Sequence, residues 1–244
     1  MSDYPEIAKR FAMDTRWHKM TVLHNDGLYR HLRCRGRRGL YWFDIVTWPG
    51  SLAIRGDLND AYVFSRTPDM FQFFRARRSK EINPDYWAEK LPEGRHSVQK
   101  YSQDLLHQHI RQALRDEYED FLHARLTERA SQLGLDTVNL LGPELAKPCH
   151  EQTRDHMRRL RKAVHEHFFD PWWGCGTEYE ETVLRGLDEF SFTSDDGHKF
   201  QFEGWQEWDL RDWDWSFLWA CHAIVWGVQR YDAVKSAEKA EASA

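Results

Sequence analysis

The sequence predicts an α+β fold: an N-terminal antiparallel β-meander packed by helices, long amphipathic helices, a second β-hairpin and a buried C-terminal helix. Three observations carry that expectation. Between residues 21 and 65, short runs with two-residue alternation are separated by turn signals. Between 102 and 133, apolar residues recur instead at three- and four-residue steps. From Trp215 to Val228, 14 residues are apolar apart from Ser216 and His222. That run falls short of the roughly 20 residues a membrane-spanning helix needs. Asp209, Asp212, Asp214 and Arg230 flank it, so it reads as a helix buried on nearly every face, and no membrane partner is expected.

A short helix is expected over 6–13, then strands over 21–24 and 28–34. Asn25-Asp26-Gly27 joins the two strands, a hairpin signal because these residues accept positive φ. Further strands are expected over 40–48, 51–55 and 61–65, with turns at Trp48-Pro49-Gly50 and over 56–60. Short connections favour pairing of sequence neighbours, hence a meander. Thr67-Pro68-Asp69 reads as a helix start, with Thr67 as N-cap and Pro68 in the first turn, leading into a helix over 69–75.

Residues 79–100, rich in proline and charge, read as a connection with one turn near 85–90. The long helix over 102–133 shows Leu105, Leu106, Ile110, Leu114, Tyr118, Phe121 and Leu122 on one face, and Gly134 as its C-cap. Helices over 148–169 and 178–188 follow. Runs 189–193 and 198–203 flank Ser194-Asp195-Asp196-Gly197 as the second hairpin, whose phenylalanines need apolar cover. The expected organisation is one domain over 1–234: sheet-rich 20–78, helical 100–190, and hairpin plus core helix 189–232. Residues 235–244 are expected to be a disordered tail.

Cys34, Cys149, Cys175 and Cys221 lie far apart without a CxxC pair, and residues 1–6 lack a basic start followed by an apolar stretch. Reduced thiols and a cytoplasmic location are expected. No phosphate-binding glycine loop and no nucleophile elbow is present, so neither an enzyme nor a cofactor is expected. The 13 histidines pose the sharpest question. Cys149, His156 and His167 stand 7 and 11 residues apart on one helical face, with His150, His165 and Cys175 nearby. Seven residues span roughly 10 Å along a helix, beyond the reach of a single zinc ion. A metal-dependent hydrolase built on this cluster is the least favoured reading. Adjacent Cys221 and His222 point about 100° apart on a helix and read as core residues.

Charge is distributed unevenly. Between residues 28 and 80, 11 basic side chains face four acidic ones, while residues 176–215 hold 12 acidic against three basic. The basic sheet offers one reading: Arg33, Arg35, Arg37, Arg38 and Trp42 contacting a nucleic-acid backbone and stacking bases. Mutual neutralisation of the two halves, consistent with a net charge of −5, is the plainer alternative. The acidic aromatic stretch Trp205, Trp208, Asp209, Asp212 and Asp214 offers another, a protein-binding surface with aromatic anchors. Core packing competes with it. No oligomeric state can be read from the sequence.

Two long stretches go further. Leu40-Tyr41-Trp42-Phe43-Asp44-Ile45-Val46-Thr47-Trp48-Pro49-Gly50, continuing to Phe74, and Phe217-Leu218-Trp219-Ala220-Cys221-His222-Ala223-Ile224-Val225-Trp226-Gly227 resemble a family of proteins encoded by bacteriophages and prophages that has no assigned activity. The resemblance implies an accessory protein acting inside the bacterial cell. The expected function is binding, without catalysis, to a host or anti-phage defence protein so as to inhibit or redirect it, with nucleic-acid binding as the alternative.

Overall fold

The structure, a computed structural model, describes residues 4–57, 61–75 and 82–242. It is α+β. In chain order the elements are α1 (Pro5–Thr15), β1 (Lys19–Asp26), β2 (Tyr29–Arg35), β3 (Phe43–Trp48), β4 (Ser51–Gly56), β5 (Tyr62–Ser65), α2 (Met70–Arg75), α3 (Pro84–Ala88) and β6 (Gln99–Tyr101). They continue with α4 (Gln103–Gln132), α5 (Pro143–Phe168), α6 (Glu180–Glu189), β7 (Phe192–Thr193), β8 (Lys199–Phe200), β9 (Arg211–Trp213) and α7 (Trp215–Ala242).

Where the sequence suggests one domain, the chain divides into two compact units. The first joins Met1–Lys100 to Trp213–Ala244, and the second is Tyr101–Asp212. The reason is α7, whose apolar run returns to the N-terminal sheet, whereas the second hairpin packs with α4 to α6. The expected grouping of that hairpin with the core helix is therefore corrected.

In the first unit, strands β1 to β5 pair in sequence order as an antiparallel meander. Register brings Leu32, Ile45, Ile54 and Tyr62 into one cross-strand row. A second row of Arg30, Thr47, Leu52 and Phe64 lies beside it, and α7 covers this buried face with Phe217, Trp219, Ala220 and Ile224. Because the run 215–228 lies between the sheet and the helices α1 and α2, it presents no polar face, as its composition predicts. Phe11 of α1 meets Trp219 edge to face at 5.0 Å, and Phe71 of α2 meets Tyr231 at 5.2 Å.

Three local expectations are corrected. Helix α7 continues to Ala242, so 235–242 is helical, with Lys235 paired to Glu238 at 2.7 Å; residues 243 and 244 lie outside the described residues. Helix α5 begins at Pro143 and takes Pro148 inside it. The missing N–H of Pro148 removes one bond, to the carbonyl of Glu144, near an end where few bonds exist to lose. At α2, Asp69 acts as the cap: its Oδ1 accepts from the Phe71 N–H at 3.0 Å, while Thr67 Oγ1 donates to the Asp69 carbonyl. The latter part of the expected turn over 56–60, and Arg77, Arg78 and Lys80 of the basic stretch, lie outside the described residues.

On the other face of the sheet, Asp44 stands between Arg33 and Arg55 in register. Its side chain is fully buried and takes a bidentate pair from Arg33 at 2.9 and 2.8 Å. Burial alone pushes the Asp44 carboxyl up, but the bonds and charges of Arg33 and His31 outweigh it and hold the group below its ordinary value. Asp214 behaves alike: burial raises it, and Lys100 with the Ser216 hydroxyl and N–H lowers it further than that. Both folded values are depressed, so the stability they hold is present above about pH 4 and is lost as pH falls through the folded values. Asp44→Asn is accordingly expected to flatten the decline of the urea midpoint below pH 4. An unchanged acid slope in the variant would remove Asp44 from that account.

The second unit is built on α4 packed against α5, closed by α6 and the β7–β8 hairpin. Ser102 caps α4 by accepting from the Leu105 N–H. Phe190, Phe200 and Phe202 find the cover they need on each other and on Phe168, with ring centroids 5.2 to 6.2 Å apart.

Candidate functional site

Two features of the second unit stand out. The first is polar and partly enclosed. Helical periodicity places Glu117 and Phe121 one turn apart on α4, and α5 brings His156 alongside. The turn between β7 and β8 delivers His198. Glu117 Oε1 lies 2.8 Å from His156 Nε2 and 2.9 Å from His198 Nε2. The His156 ring lies flat on Phe121, with centroids 4.0 Å apart and planes 5° apart, while His198 meets Phe121 edge on. Burial pulls the His156 pKa down, against the opposing pull of Glu117.

The hairpin tip that carries His198 is held firmly. Arg125 Nη2 donates to Asp196 Oδ2 at 2.8 Å, Arg159 pairs with Asp195, and the Ser194 hydroxyl bonds Asp196. The Ser194 N–H donates to the His198 carbonyl at 2.9 Å, closing the turn.

The histidine–cysteine cluster read from spacing does not assemble. Cys149 Sγ donates to the Arg125 carbonyl, and His167 Nε2 meets the Gly186 carbonyl at 2.9 Å. Cys175 instead donates its backbone N–H to the His167 carbonyl. Only His156 of that cluster joins the trio, with partners 39 and 42 residues away that no short motif links. Cys221 is fully buried and its thiol is pushed well above the ordinary value; burial likewise lowers His222, which stacks on Phe11. Burial also pushes Cys34 up to about 12, so both these thiols stay protonated and are poor nucleophiles.

The second feature is apolar and exposed. Between α5 and α6 the chain turns on Asp170, whose Oδ1 accepts from the N–H groups of Trp172 and Trp173 at 2.9 and 2.8 Å. The Gly174 N–H donates to the Asp170 carbonyl at 3.0 Å, and a Cβ on Gly174 would stand 2.7 Å from that oxygen. The turn leaves Trp172 85% and Trp173 90% exposed, with Tyr179 at 71%. Glu178 and Glu181 are exposed beside them in sequence.

The stretch expected to bind a partner is placed differently. Trp205 and Trp208 are half-buried against the second core, and Trp208 stacks on His109 at 4.9 Å. Asp209 is exposed and accepts from the Arg211 N–H, and Asp212 is half-buried. Asp214 is buried: it caps α7 through the Ser216 N–H at 2.7 Å and pairs with Lys100. A carboxylate enclosed in this way is spent on the helix start, which corrects its expected role as a partner contact. Of the basic residues, Arg33 is bound to Asp44 and lies over the half-buried Trp42 at 5.5 Å. Arg35, Arg37 and Arg38 are exposed, with no acidic partner among the described residues.

Compared with known proteins, the chain matches no family model, no curated protein and no solved structure. Among the described residues, no helix is long and apolar enough to cross a membrane.

Proposed function

We propose that the chain is a non-catalytic interaction protein that engages a protein partner through Trp172 and Trp173. The observation that carries this is their exposure, 85% and 90%, on a turn fixed by hydrogen bonds. Neighbouring indoles held out in water cost solvation and gain nothing within the fold, whereas tryptophan is among the residues that dominate binding energy at interfaces. Pre-organisation of the turn reduces the entropy lost on binding. The exposed Glu178 and Glu181 favour a basic partner surface, and the resemblance to phage-encoded chains supports a host or anti-phage defence protein as that partner.

The test is affinity purification from bacterial lysate with and without nuclease, repeated with Trp172→Ala and Trp173→Ala. A stoichiometric protein that survives nuclease is expected to bind each variant at least about 30-fold more weakly, the effect of losing one aromatic anchor. The melting temperature is expected to stay unchanged, because neither ring is packed. Undiminished binding by the double variant would refute the reading. The exposed Arg35, Arg37 and Arg38 favour a second reading, a nucleic-acid partner; recovery that disappears on nuclease treatment and falls steeply with salt would bring it forward.

A further inference from the structure

Glu117, His156 and His198 come from three separate elements, and their ligand atoms all lie within 4.8 Å of one another. We propose that they form a binding site for one divalent transition-metal ion of the borderline class that includes zinc, held by Glu117 Oε1, His156 Nε2 and His198 Nε2. The proposal is independent of the tryptophan turn and shares no residue with it.

Distance is the first argument. A tetrahedral ion with ligands at about 2.0–2.2 Å holds neighbouring ligand atoms about 3.3–3.5 Å apart. The separations of 2.8 and 2.9 Å from Glu117 Oε1 need to open by only about half an ångström to reach that spacing. Rotation of the flexible glutamate side chain supplies such a shift without moving either helix.

Chemistry is the second. Two imidazoles and a carboxylate suit zinc, iron(II), cobalt(II) and their neighbours, whereas calcium and magnesium prefer all-oxygen shells and copper(I) prefers sulfur. Three protein ligands leave room for water at the remaining position. Of the three side chains His198 is the most exposed, 33% against 11% for Glu117 and 2% for His156.

Support around the site is the third. The His156 side chain is 2% exposed, so its ring is held by packing. Its ring plane is set by the flat stack on Phe121, which keeps Nε2 aimed at Glu117 and His198. Arg125–Asp196 and Arg159–Asp195 fasten the turn that presents His198. A ligand set on packed helices and a pinned turn loses little freedom on metal uptake.

The test uses the full chain without a histidine tag, stripped with a chelator that is then removed, and titrated with Zn²⁺ and with Co²⁺. One equivalent of each is expected to bind. Cobalt is expected to give visible d–d bands and no thiolate charge-transfer band, because no cysteine takes part. Glu117→Gln and His198→Ala are each expected to weaken binding at least about tenfold, while His165→Ala, on an exposed helix position, leaves it unchanged. Zinc is expected to raise the melting temperature of the wild type and not that of either ligand variant. Circular dichroism confirms that the variants fold, and if Glu117→Gln does not, His198→Ala at the half-exposed hairpin tip decides the matter. Absence of stoichiometric uptake, a thiolate band, or uptake indifferent to both substitutions would overturn the proposal.

Discussion

Replacing Trp219 with alanine is expected to lower the unfolding free energy by about 3–5 kcal/mol. Trp219 is fully buried at the point where α1, the sheet and α7 meet. Its ring packs edge to face on Phe11 at 5.0 Å and on Phe43 at 5.6 Å, and its Nε1–H donates to Asp14 Oδ2 at 3.3 Å. Truncation removes the apolar contact, leaves a cavity between two elements that cannot easily close, and deprives Asp14 of a donor. Against a typical total of about 5–15 kcal/mol, that loss is a large share. Urea unfolding followed by far-ultraviolet circular dichroism reads it directly. A loss below about 1.5 kcal/mol, in the range of a tolerated core swap, would show that α7 is not what closes the first unit.

Gly56→Ala is expected to cost about 2–5 kcal/mol, combining backbone strain and steric overlap. The residue ends β4 at φ +156°, and an added Cβ would stand 2.1 Å from the Trp42 carbonyl oxygen and 2.6 Å from the Phe43 Cα. Both are backbone atoms at the start of β3, and the same Trp42 oxygen accepts from the Asp57 N–H at 2.8 Å. Relief therefore requires the β3–β4 ladder to part at its end. Gly227 provides the contrast: its added Cβ meets the Ile45 Cδ1 at 2.4 Å, the tip of a side chain that can rotate away. The measured loss should consequently be larger for Gly56→Ala than for Gly227→Ala. The reverse order would place the tighter constraint at the helix and not at the strand end.

Much of the architecture is legible in the residues because its signals are local. The meander follows from two-residue alternation and short turns, and α4 follows from its apolar stripe. Element boundaries differ from the sequence expectation where a local rule meets a tertiary one. Pro148 reads as a helix start, yet α5 absorbs it because Pro143 and Gly142 already provide one. The stretch 235–242 reads as a solvated tail from its charge, although alanine, glutamate and lysine are strong helix formers and extend α7.

The candidate sites were less legible, for a different reason. Exposure is decided by packing: the tryptophan-dense stretch 205–215 reads as a surface, yet Trp205 and Trp208 lie against the second core. The two most exposed tryptophans, Trp172 and Trp173, are lifted by the Asp170 turn, whose sequence signal is the Asp-Pro-Trp-Trp-Gly run. Glu117, His156 and His198 share no spacing pattern because each arrives on a different element. Histidine density in the sequence marks α5, whereas the neighbours of His156, Glu117 and His198, lie on other elements.

The division of the chain has a consequence for its synthesis. The second unit is one continuous stretch, Tyr101–Asp212, and can close as soon as it leaves the ribosome. The first unit is discontinuous: its sheet emerges early, but α7, which covers it, is translated only after the whole second unit. For that interval Leu32, Ile45, Leu52 and Phe64 lack the lid that later buries them, which leaves the nascent sheet open to association.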